Sequence, residues 1–452
     1  MVACLIGLST LASAQPISSF AVPEDYLPGL KPLLESALRQ SPRMIARNAE
    51  EVIAEADRIA ARAGQLPTIG GYASYHPYAR ERRWDPNGLT SNVGNNEKIA
   101  YNFSLSQPVF HWGALRDTTR MAELRLKIAE GNTAEAYRIL LDHVRNHYLQ
   151  LVVLKASVAR ARFNQQIADD ALAIARSKRQ QNVISEADLF TPTVTAEQAR
   201  LRVDQTEFNY EISKTSLAKL CGVEVVSDAA VADAIPAVTP DSASVERLVD
   251  EFLGRGEPDT FYLQNLRRGI EIEKLTHDIH NTRLKPKISA SVGVSQDEQT
   301  FSYASASTNK YKIQTTYAGV MVNWTIFDSF STRSAKIASL ARRRELERIY
   351  KAEAGDLLMS VQTQKRQLEF AARGLAISEK FLASAEDGVR VAEDNLRRGL
   401  SSEAAVSDAR LLLQTRQLET FAARNDYLMK LSQLLSTTLN DPALNLLPAK
   451  YR

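Results

Sequence analysis

Two pairs of histidines are the residues of this sequence whose type and spacing could bind a metal ion. His143 and His147 are four residues apart, and His277 and His280 are three apart. Either spacing places two rings on one face of a helix, as in many zinc sites. Neither pair has a third ligand nearby in the sequence. We therefore interpret them as partly packed helix residues and expect no metal and no cofactor.

Catalytic motifs are also missing from the sequence. It contains no Gly-x-Ser-x-Gly, no phosphate-binding loop and no His-Glu-x-x-His. The formal net charge of +3 arises from 56 basic and 53 acidic residues, and this near balance argues against a nucleic-acid partner. The arginine run at 342–344 is interpreted as an exposed helix face. The sequence thus predicts a protein that is not an enzyme.

The N-terminal segment MVACLIGLSTLASAQ has an apolar core followed by Ala12-Ser13-Ala14, the pattern of a signal-peptidase site. Residues 1–14 are predicted to be a signal peptide, and export would leave Cys221 as the one cysteine of the mature chain. An apolar N-terminal strand or arm is the alternative. Because no run of about eighteen apolar residues occurs, no transmembrane helix is expected.

An internal repeat organises the rest of the chain. Aligning VFHWGALRD with IFDSFSTRS places Phe110 on Phe327, a spacing of 327 − 110 = 217 residues. The same spacing, without a gap, places Ser185-Glu186-Ala187 on Ser402-Glu403-Ala404. Because this register holds over roughly a hundred residues, it indicates a tandem duplication.

The duplication predicts repeats at 15–221 and 245–439, with a linker at 222–244 and a tail at 440–452. Each repeat should contain a first helix, two strands, a long helix and a return helix. In the first repeat these elements are predicted at 31–65, 68–78, 98–110, 113–181 and 186–221. In the second they are predicted at 244–284, 287–296, 313–327, 330–398 and 402–438.

The predicted strands alternate apolar with polar or small side chains. On the last strand the apolar face comprises Val320, Val322, Trp324 and Ile326. A half-buried strand of an ordinary sheet has this pattern, but four strands are too few to cover a sheet in so helical a chain. A membrane β-barrel also has it, with the apolar face toward lipid, and such a barrel must close. Since four strands cannot close, the pattern favours a barrel shared by several copies.

The long helices contain no proline over about seventy residues, which corresponds to a length on the order of 100 Å. Apolar residues of the first long helix are spaced 4, 3, 4, 3, as in the seam of a coiled coil. These residues are Tyr137, Leu141, Val144, Tyr148 and Leu151. The spacing predicts that the long helix packs against the helices beside it.

A short turn ends each long helix. Asn182 and Gly399 are residue types that tolerate the left-handed backbone just past a helix end. Ser185 and Ser402 are suited to capping the next helix, and Ser185 with Asp188 resembles a capping box. Each turn is therefore predicted to be the tip of a hairpin of antiparallel helices.

Taken together, these features resemble the TolC-like outer-membrane efflux proteins over nearly the whole mature chain. The fold class implied is mainly α with a small β part: long antiparallel helical hairpins form a tunnel, and four strands per chain join a twelve-stranded trimeric barrel. The resemblance implies a passive exit duct from periplasm to exterior, in tripartite efflux or type I secretion. Its implied location is the outer membrane, with a long periplasmic part. Its implied partners are two more copies, outer-membrane lipid, a periplasmic adaptor and an inner-membrane RND, ABC or MFS transporter.

The resemblance also implies roles for the two turns. Family members have a Gly-Leu-x-Ser/Thr turn that contacts the adaptor, so two tetrapeptides become candidate docking sites. They comprise Asn182, Val183, Ile184 and Ser185, and Gly399, Leu400, Ser401 and Ser402.

Carboxylates near these turns line the tunnel entrance in the family, and the matching residues are Asp188 and Asp408. Repeated in three copies, Asp408 would form a ring that favours cations. The sequence departs from the family at Ala405, where an aspartate is common, and at Ser401, where some members carry an arginine. Both departures predict a weaker or differently connected gate.

A second class of protein also fits the helices and turns. An exported periplasmic coiled-coil protein with a small β-meander would need no membrane barrel. It accounts poorly for an apolar strand face repeated at equivalent positions in both halves. The two interpretations differ in what Val322 should contact: lipid in one, water in the other.

Overall fold

The structure is a computed structural model that describes residues 20–84, 91–256, 258–303 and 308–451. The predicted signal peptide, 1–14, lies outside the described residues. The described chain divides into two compact units. The helical unit comprises the described parts of 1–48, 131–263 and 352–452, and the sheet unit comprises those of 49–130 and 264–351. None of the helices in these ranges is both long enough and apolar enough to cross a membrane.

The order of elements occurs twice along the chain. In the first half it is α1 (Pro23–Tyr26), α2 (Leu30–Gln40), α3 (Pro42–Ala63), β1 (Thr68–Trp84), β2 (Ser91–Phe110), α4 (Ala114–Gln180) and α5 (Glu186–Cys221). In the second half it is α6 (Ser242–Gly254), α7 (Phe261–Asn281), β3 (Lys287–Tyr303), β4 (Thr308–Asn323), α8 (Ser331–Arg397) and α9 (Glu403–Thr437). Short 3₁₀ turns lie at Asp228–Ala230, Pro442–Leu446 and Ala449–Tyr451. This mainly helical fold with two long hairpins and four strands confirms the predicted class.

The first helix of each half is interrupted, although the sequence predicts one continuous helix in each place. Pro42 has no amide hydrogen and disfavours helical backbone at the residue before it, so Ser41 is extended (ψ 127°) and separates α2 from α3. In the second half the break follows Gly254, and Gly256 adopts a left-handed φ of 75°.

The strands are longer than the predicted segments of about ten residues, because ladder hydrogen bonds extend through polar, Asn-rich and Gly-rich sequence. All four strands form one antiparallel sheet in the order β1-β2-β3-β4. A register shift interrupts the β1–β2 ladder between His76 and Ala79. In contrast to the other strands, β4 ends earlier than expected, at Asn323.

The seam of α4 forms much of the core of the helical unit. All five seam residues predicted from the 4, 3, 4, 3 spacing are buried, which confirms that interpretation. Cys221 is buried nearby, and burial raises the pKa of its thiol to about 12. The thiol is therefore protonated and unreactive at neutral pH.

Arg145 directly follows the seam residue Val144 and is fully buried, with 0% of its side chain exposed. Its guanidinium donates to both carboxylate oxygens of Glu24 (2.6 and 3.0 Å), to both of Asp441 (2.5 and 2.9 Å) and to Ser432 Oγ (2.7 Å). These bonds satisfy all five N–H groups of the arginine. Paired in this way, the buried charge fastens α1, α9 and the segment after α9 to α4.

Asp142, one turn before Arg145, is less well satisfied. Its Oδ2 accepts from Ser436 (2.8 Å) and lies 3.5 Å from Arg138 Nη1. Its buried Oδ1 accepts no hydrogen bond from the described residues. Burial, opposed by the Ser436 bond and the neighbouring arginines, raises the pKa of Asp142 to about 6. Ionised Asp142 therefore costs the folded state free energy at neutral pH.

Candidate functional site: the two helical tips

The first tip, residues 181–188, joins α4 to α5. Asn182 adopts a left-handed φ of 57°. Its amide donates to Arg179 O, and the amide of Val183 donates to Lys178 O, each at 2.9 Å. This is the paired hydrogen-bond pattern of a Schellman motif, which satisfies the last carbonyls of α4.

The second tip, residues 398–405, joins α8 to α9 with the same geometry. Gly399 has a φ of 71°. Its amide donates to Leu396 O (2.9 Å), and the amide of Leu400 donates to Asn395 O (2.8 Å). The predicted left-handed positions and hairpin turns are therefore both observed.

The caps of the returning helices differ between the tips. At the first tip Ser185 Oγ accepts from the Asp188 amide (3.2 Å), while the Asp188 carboxylate accepts from the Ser185 amide (2.9 Å) and from Ser185 Oγ (2.6 Å). This reciprocal capping box lowers the pKa of Asp188. At the second tip Ser402 Oγ accepts from the Ala405 amide (3.3 Å), and Ala405 has no carboxylate to complete the box.

Each tip exposes an apolar side chain at the same position of its turn. Val183 is 66% exposed and Leu400 is 75% exposed. Ile184, which follows Val183, and Ser401, which follows Leu400, are half-buried. Because the amides of Val183 and Leu400 donate back to the helix that ends at each turn, these apolar side chains are held in water at a fixed place on the turn. The arrangement suits a contact surface.

The two candidate entrance carboxylates have different surroundings. The carboxylate of Asp188 accepts the hydrogen bonds of the capping box, whereas Asp408 is exposed on the second turn of α9. Beside it, Arg410 Nη2 donates to Glu393 Oε1 of α8 (2.8 Å) and links the two helices of the hairpin. Of the two, Asp408 therefore has the freer charge.

The histidine pairs do not form a metal site in the described part of the chain, where no group of three or more His, Cys, Asp or Glu side chains is arranged to bind an ion. His143 is exposed, and His147 is half-buried with a pKa lowered by burial and by His143. His277 lies 3.2 Å from the side-chain amide of Asn281. Within the arginine run, Arg342 pairs with the mostly buried Glu273 at 3.3 Å, and Arg343 pairs with Glu347 at 2.9 Å.

The apolar face at the end of β4 is only partly in the strand. Val320 and Val322 lie in β4 and are 69% and 58% exposed. Trp324 and Ile326 follow its last residue, Asn323, so the expectation that they belong to the strand is corrected. The Trp324 indole donates to the carbonyl oxygen of Leu284 (2.9 Å), in the connection between α7 and β3.

A second tryptophan, which is not among the predicted site residues, lies two residues after the end of β2. Trp112 has a φ of 57°, and its indole donates to Pro286 O at 2.7 Å. Lys285 Nζ lies 4.7 Å from the centroid of its ring. The signal was its place in VFHWG, directly after a predicted strand, where barrel proteins concentrate aromatic residues.

A four-stranded antiparallel sheet combined with two long helical hairpins is the architecture expected of an outer-membrane efflux channel. The family model described as "outer membrane efflux protein" matches residues 33–223 and 276–438, more than half of the chain. The chain therefore belongs to the outer membrane efflux protein family and is located in the outer membrane. Its members are channels rather than enzymes, and the resemblance to TolC-like proteins is confirmed.

Individual relatives agree with this membership. The chain is 24% identical over 397 residues to the pyoverdine export outer membrane protein OpmQ of Pseudomonas aeruginosa, which covers 84% of this chain and 81% of OpmQ. Its fold is similar to that of the CmeC outer membrane channel of Campylobacter jejuni, with a TM-score of 0.71 and 13% identity over 100% of this chain and 98% of CmeC. VceC of Vibrio cholerae gives a TM-score of 0.66 and 17% identity over 92% and 97%.

Proposed function

We propose that three copies of this chain form a passive duct from the periplasm to the exterior. Four strands from each copy would close a twelve-stranded barrel in the outer membrane, and the helical hairpins would form a periplasmic tunnel. The observation that carries this proposal is the sheet itself: four strands cannot close alone. Within the described residues, β1 and β4 are edges without a partner strand. An unpaired edge is not tolerated in lipid, because its backbone groups find no water there.

The exposed apolar face of β4 supports contact with lipid. Val320 and Val322 are well exposed in the isolated chain, and Met321 between them faces the opposite side of the sheet. In the proposed barrel the two valines face the membrane and Met321 faces the lumen. Trp324 and Ile326, just beyond the strand, would lie at the periplasmic edge of the bilayer, where aromatic residues concentrate.

The two tips would dock on a periplasmic adaptor protein. Supporting this role are the exposed Val183 and Leu400, whose own amides donate back to the helix that ends at each turn. The adaptor would connect the duct to an inner-membrane transporter of the RND, ABC or MFS type, which supplies the energy. Asp408 of three copies would form a ring of like charges at the entrance that favours cations and repels anions.

Replacing Val322 with Arg tests the barrel, with Met321→Arg as the matched control on the adjacent residue. Because Val322 lies only two residues before Trp324 at the proposed edge of the bilayer, a lipid-facing arginine there should cost less than the about 2–4 kcal/mol of a midplane site. It should still lower the amount of assembled channel below that of Met321→Arg. Met321→Arg should still assemble. The measurement is the amount of each variant in purified outer membranes, with its detergent-corrected mass by light scattering. A water-soluble wild-type monomer, or equal tolerance of both arginines, would favour the exported coiled-coil alternative.

Replacing Leu400 with Ser tests docking, with Val225→Ser as a control at an exposed apolar residue away from both tips. The variant Leu400→Ser should reach the outer membrane normally yet lose efflux and crosslinking to an adaptor. Val183→Ser, which removes a smaller and less exposed apolar side chain, should weaken both less. Unchanged efflux in the double variant Val183→Ser, Leu400→Ser would rule out the tips as docking sites.

A further inference from the structure

The sheet consists of two copies of one hairpin, with the same strand register in each. Adding 219 to the number of a β1 residue and 217 to the number of its β2 partner gives a pair of residues that face each other in β3 and β4. Thus Thr68↔Ser106 becomes Lys287↔Asn323, Ile69↔Leu105 becomes Ile288↔Val322, and Tyr72↔Asn102 becomes Ser291↔Gly319. Strand β3 is therefore the counterpart of β1, and β4 is the counterpart of β2.

The seam between β2 and β3 joins the two hairpins within one chain. It pairs Leu105 with Val292 and Phe103 with Val294. The free edges, β4 and β1, are the counterparts of the two strands in this seam. If neighbouring copies pair in the same way as the two hairpins of one chain, the register between β2 and β3 gives the register between β4 of one copy and β1 of the next.

We propose that β4 of one copy pairs with β1 of the next copy so that Val322 lies opposite Ala73 and Val320 lies opposite Tyr75. These pairs follow from Leu105↔Val292 and Phe103↔Val294 when the same offsets are applied. The proposal rests on the shared barrel of the proposed function and adds which residues meet across it.

The chemistry of the paired residues fits this register. Val322 lies on the sheet face of Val292 and Leu105, and so does Ala73 through its partner Tyr101. The register therefore continues one apolar face around the barrel, whereas a slip of one residue would place apolar residues of one copy beside the lumen-facing residues of the other. Val320 opposite Tyr75 is a β-branched and aromatic pair, a favourable cross-strand combination. Both side chains are well exposed in the isolated chain.

Disulfide trapping in the full-length chain tests the register. Cysteines at opposed positions of antiparallel strands lie within the distance that a disulfide requires. Every copy of the variant Val322→Cys, Ala73→Cys carries one cysteine on β4 and one on β1. Oxidation should therefore link three copies into a closed covalent ring. Cys221 can stay in place, because its buried thiol has a pKa raised to about 12.

Each matched control moves one of the two cysteines. Val322→Cys with Tyr75→Cys and Val320→Cys with Ala73→Cys shift the register by two residues in opposite directions but stay on the same face, and Val322→Cys with Ser74→Cys places the second cysteine on the other face. Gly71 is avoided because a side chain there would clash with the Phe103 ring. Oxidation of outer membranes should move most of the Val322→Cys, Ala73→Cys variant from the monomer band to the covalent trimer band on a non-reducing gel. The three controls should stay monomeric on the gel.

The outcomes separate the register from the barrel. Preferential trapping of either register-shifted pair, Val322→Cys with Tyr75→Cys or Val320→Cys with Ala73→Cys, would overturn the register while keeping the shared barrel. A trimer by light scattering that no cysteine pair traps would overturn strand pairing between β4 and β1. A monomeric mass for the wild type would overturn the proposed function together with this inference.

Discussion

Two regions of the helical unit hold their polar groups in different ways. Around Arg145 the charges are buried and every N–H of the guanidinium has a partner, drawn from segments far apart in the chain. At the tips the polar groups are exposed and pair within a few residues of one another. The first region depends on the whole fold, whereas the second needs only its own hairpin. A tip can therefore change its contacts with a partner without loosening the core, and the substitutions below test that separation.

The largest effect is expected at the buried charge. Replacing Arg145 with Met leaves Glu24 and Asp441 without their counter-charge, which should cost about 3–5 kcal/mol of unfolding free energy. Denaturant unfolding of the purified channel in detergent measures it. Arg390→Met, at an exposed arginine paired with Asp387, should change stability by less than about 1 kcal/mol.

A companion variant separates lost charge pairing from lost packing. Combining Arg145→Met with Glu24→Gln and Asp441→Asn removes the unpaired carboxylates, so it should recover part of the loss. If this triple variant is as unstable as Arg145→Met alone, packing rather than charge governs the region.

Asp142 should respond to pH. Its folded pKa is raised to about 6, so the free-energy cost of its charge is present above that pH and disappears as pH falls toward its ordinary value of 3.8. Asp142→Asn should therefore stabilise the protein at pH 8 by about 1–3 kcal/mol. The gain should shrink when unfolding is measured at pH 4.5. A gain of equal size at both pH values would contradict the assignment.

Backbone strain at the second tip should have a smaller and local effect. A side chain at Gly399 would meet no atom within 4 Å, but the left-handed φ of 71° disfavours branched residues. Gly399→Val should cost about 1–2 kcal/mol at the turn. Gly399→Asn, which copies the residue at the first tip, should cost less. Hydrogen exchange of the Gly399 and Leu400 amides measures the local opening; equal exchange in both variants would contradict the strain.

The helix caps should give the smallest effect and the sharpest contrast between the tips. Removing a capping hydroxyl typically costs about 1 kcal/mol. Ser185→Ala should cost more than Ser402→Ala, since it also releases the carboxylate of Asp188. Hydrogen exchange in the first turns of α5 and α9 measures both. Ala405→Asp should bring the second tip closer to the first, and no added protection in that variant would contradict the role of the capping box.

Much of the fold was open to prediction because it depends on neighbours in the sequence. The 4, 3, 4, 3 spacing identified the buried seam of α4, and Asn182 and Gly399 marked the helix ends through the backbone that each residue type permits. The repeat of 217 residues indicated a duplicated arrangement of hairpins. Adaptor docking, the Asp408 ring and the lipid-facing strand remain predictions.

The sequence alone determined the features that depend on the spacing of apolar residues and on which residue types tolerate a left-handed backbone. Only the tertiary structure decided which distant groups meet: Arg145 bonds Asp441 from 296 residues away, and Trp112 bonds the carbonyl of Pro286 from 174 away. It also decided how far the strands extend, because a ladder is stabilised by the strand beside it rather than by its own side chains. Such contacts depend on chain topology, which cannot be read from local sequence patterns.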